Sequence, residues 1–350
     1  VSLDRRLASI VHALNPGASP LVEPFPETPT AWAQAYALSW PEHPQHPERY
    51  VVRLIDADAF EDQAVRTEFG AARLLGDQGI APAVHHADAE TGVLVMDRVE
   101  GHPVRPATRR QALSVADLLA RLHRLDWPDP TRLYADKRRA AADSAAHLTQ
   151  RIPQLALFAE ALGEFDALRG KLRDLAVPQT LCHNDLNPGN ILFDARRAWL
   201  IDFDHVGPGD PLFDVATAID ALGLTPADAD AFLTRYLGRP ATEHERARLE
   251  LLGCLALLRY AVSGLSLVPE DLHPHLAAWS GDVGEAWVFQ RAPQEALGRS
   301  VLRLSLGFAT AGLARLRSRP ATRALRTLHL TPPPAPQRES ALVGAGHAQR

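Results

Sequence analysis

Asp185, Asn190 and Asp202 are residue types at spacings that suit work on a metal-bound phosphate. In Leu181-Cys182-His183-Asn184-Asp185-Leu186-Asn187-Pro188-Gly189-Asn190-Ile191-Leu192-Phe193 an aspartate opens a polar loop, and an asparagine follows five residues later. A second aspartate comes after the next apolar run, in Leu200-Ile201-Asp202-Phe203-Asp204. A loop aspartate can orient a hydroxyl and accept its proton. Asparagine and aspartate oxygens are hard ligands that suit Mg2+ among phosphate oxygens and water. A transferring phosphoryl group spreads negative charge and needs little covalent chemistry from the protein, so positioning and cations do most of the work. The three residues therefore point to phosphoryl transfer from Mg-ATP, with Asp185 as base or orienting group and Asn190 and Asp202 as metal ligands.

An aspartate five residues ahead of an asparagine is common by itself, and such residues often only cap turns. Here the loop runs into an apolar strand, Ile191 to Phe193, a turn at Asp194 to Arg197, a second strand, Ala198 to Ile201, and then Asp-Phe-Asp. With that context the segment resembles the catalytic core of the aminoglycoside phosphotransferase and choline/ethanolamine kinase superfamily, whose fold is similar to that of protein kinases. Leu118-Leu119-Ala120-Arg121-Leu122-His123-Arg124-Leu125-Asp126 resembles the helix that precedes this core, and Gly209-Asp210-Pro211-Leu212-Phe213-Asp214-Val215-Ala216 the segment that follows it. The resemblance implies a bilobal α+β fold, with a small antiparallel-sheet N-lobe and a larger, mainly helical C-lobe. It also implies that His183 and Asp214 brace the loop without touching substrate. The His-Asn-Asp form, where aminoglycoside enzymes more often show His-Gly-Asp, leans toward the choline/ethanolamine side.

The upper lobe should then cover ATP, with Tyr50-Val51-Val52-Arg53-Leu54-Ile55 as its central strand. A protein kinase would place a lysine there, but Lys137 and Lys171 are the only lysines and both lie beyond the lobe. Arg53 is the candidate for the ATP phosphates, since a guanidinium can grip phosphate with two parallel bonds; choline-kinase-like members tend to carry arginine here. An exposed strand arginine is the alternative. Glu68, in a helical run from Ala64 to Leu75, is its natural ion-pair partner, with Glu61 as competitor. Val93 to Gly101 reads as the strand and hinge between lobes, where backbone groups of Asp97 to Val99 would meet the adenine edge. Met96 either walls the adenine pocket or belongs to ordinary core. Residues 23–32, the expected phosphate-covering loop, contain prolines and no glycine. Glycine permits close backbone approach and proline removes a donor, so Thr28 or Thr30 would have to supply hydroxyls instead.

The chain of 350 residues, 46% apolar, reads as an N-terminal ATP-covering lobe over 1–100, a catalytic and substrate lobe over 101–295, and a basic helix with a disordered Pro-rich tail over 296–350. Helices are expected over 109–125, 136–149, 155–175, 228–237 and 243–267. A net charge of −5 argues against nucleic acid as partner; a small hydroxylated molecule fits better. Two distant cysteines suggest neither a disulfide framework nor zinc, which makes a reducing cytoplasm the expected location. No leader or membrane span is read, because Glu250 and Arg259 interrupt the longest apolar stretch, 249–268. The arginine-rich run 299–330 is either an amphipathic helix in weak contact with an anionic surface or a helix packed on the lobe, and Pro320 favours the second. His43, His46, His85 and His86 lack ligand-spaced partners and read as surface turns.

The acceptor is left open. Tyr236, Tyr260, Trp279 and Trp287 could offer aromatic faces to a choline-like cation, and Asp204, Asp210 and Asp220 could serve either such a cation or an aminoglycoside. The expected function is an ATP- and Mg2+-dependent O-phosphotransferase of choline/ethanolamine-kinase type. An aminoglycoside or other hydroxylated metabolite is the alternative acceptor. A nucleotide-binding regulatory module without turnover is the alternative of another class.

Overall fold

Short runs rich in β-branched and apolar residues, 49–55 and 93–97, build the central strands of the sheet. The computed structural model describes residues 5–14, 20–24, 33–40, 49–55, 62–127, 156–175, 177–266 and 294–331. Helix α1 (Arg5–Leu14) precedes strands β1 (Leu21–Pro24), β2 (Ala33–Ser39) and β3 (Arg49–Ile55). Helix α2 (Asp62–Asp77) follows, and then β4 (Val84–Asp88) and β5 (Val93–Asp97). The strands form one antiparallel sheet in the order β1-β2-β3-β5-β4. Successive strand side chains point to opposite faces. Val52, Leu54, Val93 and Val95 accordingly join Ile10 and Val11 of α1 in a small core. Ile55 and Leu94 enter the main core with Val65 and Phe69 of α2. Arg53, opposite Leu94 in register, lies on this second face.

The lower part begins with α3 (Arg109–Leu122), which starts at a capping box of Thr108 and Gln111. Helix α4 (Ala156–Arg173), β6 (Thr180–Cys182), a 3-10 turn at Pro188–Asn190, β7 (Ile191–Phe193), β8 (Ala198–Leu200) and β9 (Gly207–Gly209) lead to α5 (Pro211–Ala221). Helices α6 (Pro226–Leu237), α7 (Glu243–Ser266), α8 (Gln294–Leu316) and α9 (Arg319–Thr327) complete it. Strand pairs β6-β9 and β7-β8 form two small ribbons, so the loop that bears Asp185 runs between short strands. The fold is α+β, as expected. Leu200 N–H donates to Ile80 O at 3.1 Å, and His102 pairs with Phe193 through two backbone bonds. Upper and lower parts thus meet beside the loop.

Helix ends depart from the sequence reading by one to three residues, which is where fraying and caps decide. The helix expected over 109–125 ends at Leu122, and that expected from 228 begins at Pro226 because Thr225 caps it. The expected helix 136–149 lies outside the described residues. Helix α1 was not anticipated. Pro320 sits in the first turn of α9 behind its Ser318 cap, which divides the arginine-rich run into two helices. Phe308, Leu313, Leu325 and Leu328 are buried in the main core, and Arg315 reaches Asp220 at 2.7 Å and Glu250 at 3.0 Å. Arg319, Arg323 and Arg326 face solvent. This is the packed-helix alternative. No helix among the described residues is long and apolar enough to cross a membrane.

Gly92 shows how tightly the sheet is drawn. Its φ is +68°, a Cβ there would collide with the Ile55 carbonyl oxygen, and its own carbonyl accepts from Ile55 N–H at 2.7 Å. Left-handed backbone costs a non-glycine residue about 1–2 kcal/mol, and the clash adds to it. Gly92→Ala should therefore lower stability by about 2–4 kcal/mol in urea titrations, against a contrary result of under ~0.5 kcal/mol.

Candidate active site

The loop that bears Asp185 hangs from one buried carboxylate. Asp210 caps α5 by accepting from Leu212 N–H, and Pro211 opens the helix, which puts Asp214 in the first turn with its side chain fully buried. Asp214 Oδ2 accepts from His183 N–H at 2.7 Å and from His123 Nε2 at 3.1 Å, and its Oδ1 accepts from Asn184 N–H at 2.8 Å. His123 Nδ1 meets the Tyr236 hydroxyl at 2.8 Å. Burial alone would raise the Asp214 pKa, but the hydrogen bond and charge of His123, with the backbone N–H of His183, hold it below the ordinary 3.8. His123, Cys182 and Asp214 come close enough to suggest a metal trio. The bonds just given already occupy the first and last, and burial pushes the Cys182 thiol well up, so the trio is structural.

His183 and Asn184 shape the loop itself. His183 Nε2 meets Ile201 O at 2.9 Å, and Asp185 N–H donates to Nδ1 at 3.3 Å. These partners assign the neutral tautomer protonated on Nε2. Asn184 takes φ +64°, while its Nδ2 donates to His205 O and Gly207 O, both at 3.2 Å. A Cβ at Gly209 would lie 2.6 Å from Asn184 Oδ1, so glycine is required there.

Asp185 Oδ1 accepts from Arg259 Nη2 at 2.9 Å, and Oδ2 accepts from Nδ2 of Asn187 at 3.1 Å and of Asn190 at 3.3 Å. Asn190 Nδ2 also donates to Asp185 O at 2.8 Å. The amide hydrogens of Asn190 are thus spent within the loop, and its Oδ1 is left as a ligand atom. Asp202, at φ +64°, receives Arg53 Nη1 on Oδ1 at 2.6 Å. Positive φ in non-glycine residues is costly and concentrates where geometry is demanded by function. The second oxygen of Asp202 and the side-chain oxygen of Asn190 make a hard, oxygen-only donor set, which fits Mg2+. Asp204 and His205 also gather at Asp185, with one ligand atom of each within 4.8 Å of the others.

Arg53 Nε stands 3.2 Å from Glu68 Oε1, so the strand arginine, the α2 glutamate and the Asp202 loop are joined in one chain of charges. Burial lowers the Arg53 pKa, yet Glu68, Asp202 and Asp204 outweigh it, and the net direction is upward. Glu61 lies outside the described residues. Met96 is half-buried on the same sheet face as Arg53, paired with Val51, and packs against the main core. The Asp97 side chain turns outward to His85 Nε2 at 2.6 Å, with the Tyr50 ring against His85. Asp97 N–H donates to Ala83 O, Arg98 N–H to Arg49 O, and Val99 follows half-buried past the strand. Thr28 and Thr30 lie outside the described residues.

Several acceptor-side candidates have other employment. Tyr236 serves His123; the Tyr260 ring lies under the Arg259 guanidinium, 4.9 Å away, and beside Phe308. Asp210 caps α5 and pairs with Arg248, and Asp220 pairs with Arg315. Trp279 and Trp287 lie outside the described residues. Asp204 alone of the three carboxylates joins Asp185. Arg259 was missed by sequence reasoning, where it figured only as an interruption of an apolar run. As the sole charge within 251–262 it could have been flagged, since buried charges require partners.

Residues 32–252 match the family model described as the phosphotransferase enzyme family. The chain belongs to this family. It is 31% identical over 188 residues to the aminoglycoside 3'-phosphotransferase of Streptomyces fradiae, a match covering 47% of this chain and 69% of that one. Protein LicA of Haemophilus influenzae is 41% identical over 64 residues, which cover 18% of this chain and 24% of LicA; the match thus spans about a quarter of that relative's length. A solved choline/ethanolamine kinase family protein from Mesorhizobium loti has a TM-score of 0.63 at 17% identity, covering 93% of this chain and 96% of that one. That likeness is one of fold.

Asp214→Asn places an amide donor against backbone N–H donors and should cost about 2–4 kcal/mol of stability. A depressed carboxyl pKa means that the stabilisation is complete above 3.8 and is lost as pH falls through the depressed value. Urea titrations across that window should show this loss in the wild type and lack it in the variant.

Proposed function

We propose that this family member transfers the γ-phosphate of ATP, with Mg2+, to the hydroxyl of a small molecule. The reading rests chiefly on one arrangement: Asp185 is fixed on a braced loop with Asn190 bonded to it, and Asp202 is held from the other side by the Arg53–Glu68 pair. Asp185 would receive the acceptor hydroxyl and its proton. Arg53 would meet the ATP phosphates, its direction set by Glu68. Asp97 and Val99 would meet the adenine through backbone groups, with Met96 as a wall. Asn190 and Asp202 would hold Mg2+, which when bound neutralises charge developing on the phosphate oxygens.

For the acceptor, a choline- or ethanolamine-like alcohol is the first reading. It is supported by the His183-Asn184-Asp185 form and by Asp204 beside Asp185. An aminoglycoside or other hydroxylated metabolite is the second, favoured by the match to the Streptomyces enzyme.

ADP release should be followed with a panel of choline, ethanolamine, thiamine, aminoglycosides and simple sugars. One acceptor is expected to stimulate turnover, and Asp185→Asn to lower kcat about 10²–10⁴-fold with little change in KM for ATP. Arg53→Met should instead act mainly on KM for ATP. ATP binding without stimulation by any acceptor would favour the regulatory-module alternative.

A further inference from the structure

Arg259 stands on α7, far in sequence from the catalytic loop, and its residue is only 5% exposed. Its two terminal nitrogens divide their work. Nη1 donates to the Asn184 main-chain oxygen at 2.6 Å, and Nη2 donates to Asp185 Oδ1 at 2.9 Å. The planar fork therefore fixes both the peptide plane that enters Asp185 and the rotation of its carboxylate, which a single-point ammonium could not do. The guanidinium is itself held, with the Phe213 ring 5.4 Å and the Tyr260 ring 4.9 Å from its carbon. The neutral amides of Asn187 and Asn190 donate to the other oxygen of the same carboxylate.

We propose that Arg259 is the positioning residue for phosphoryl transfer: by holding Oδ1 of Asp185, while the Asn187 and Asn190 amides hold Oδ2, it fixes the rotation of the carboxylate that the acceptor hydroxyl meets. The inference rests on the phosphotransferase reading above. In the step it serves, the hydroxyl oxygen forms the new bond to the γ-phosphorus, and the bond from that phosphorus to the bridging oxygen breaks with its electron pair leaving on ADP. The hydroxyl proton passes to the Asp185 carboxylate. Burying a guanidinium is costly, and an apolar residue could fill the same place in a helical core at less expense. The charge is explained by what it orients. Arg259 touches no reacting atom, so its effect must pass through Asp185.

The test combines crystallography with kinetics on the full chain. In Arg259→Gln the Asp185 carboxylate should rotate away from its wild-type position. With the stimulating acceptor, kcat should fall about 10–100-fold while KM for ATP stays within about threefold, as expected for loss of alignment in the transition state alone. Arg259→Lys should recover part of kcat by restoring one of the two bonds, and it serves as the structural variant as well if Arg259→Gln does not fold. Arg259→Gln added to Asp185→Asn should cost nothing further, because residues that act as a unit are not additive. An unmoved carboxylate, or additive losses in the double variant, would overturn the proposal. If the wild type turns over no acceptor, the phosphotransferase reading fails, and the crystal structures still decide whether Arg259 places Asp185.

Discussion

The buried carboxylate of Asp214 is the point on which the lower half of the site depends. Two consecutive backbone N–H groups, those of His183 and Asn184, converge on it at 2.7 and 2.8 Å. A chain that must present both amides to one carboxylate has little freedom left, and Asn184 accordingly sits at φ +64°. Such strain persists only where surrounding contacts over-determine it. Here the Asn184 side chain, tied to His205 O and Gly207 O, and its carbonyl, tied to Arg259, complete the restraint. The first turn of a helix is a favourable place for the anion that does this.

How much of this was legible in the sequence follows from what kind of interaction each part uses. Asp185 with Asn190, and Arg53 with Glu68, were singled out by residue type and by place in a motif, and the structure brings each of these pairs into contact. The sheet was readable because β3 and β5 are short runs rich in β-branched and apolar residues. Arg259 was not, because its partner lies 74 residues away and only packing brings α7 under the loop. The same holds for Tyr236 and Tyr260. Their composition suggested aromatic faces for a ligand, but a hydrogen bond to His123 and a guanidinium already occupy them. Helix α1 differs: Leu7, Ile10, Val11 and Leu14 recur at i, i+3, i+4 and i+7, a helical signature that was passed over in the sequence, and Ile10 and Val11 pack on the sheet.

Arginine at position 53 has a consequence that lysine would not. A guanidinium spreads its charge and donors over a fixed plane, and Arg53 donates to Asp202 after β8 while standing in ion-pair contact with Glu68 on α2, two carboxylates that belong to different parts of the fold. The sheet is thereby joined to the loop that would hold the metal through one side chain. A lysine ammonium concentrates its charge at a point and could satisfy both carboxylates only by bringing them together. Asp202, at φ +64°, has little slack with which to follow. The guanidinium instead reaches each carboxylate where its own element has placed it, so relative position of the two parts is set by a rigid spacer rather than by the soft approach of two like charges to a shared cation.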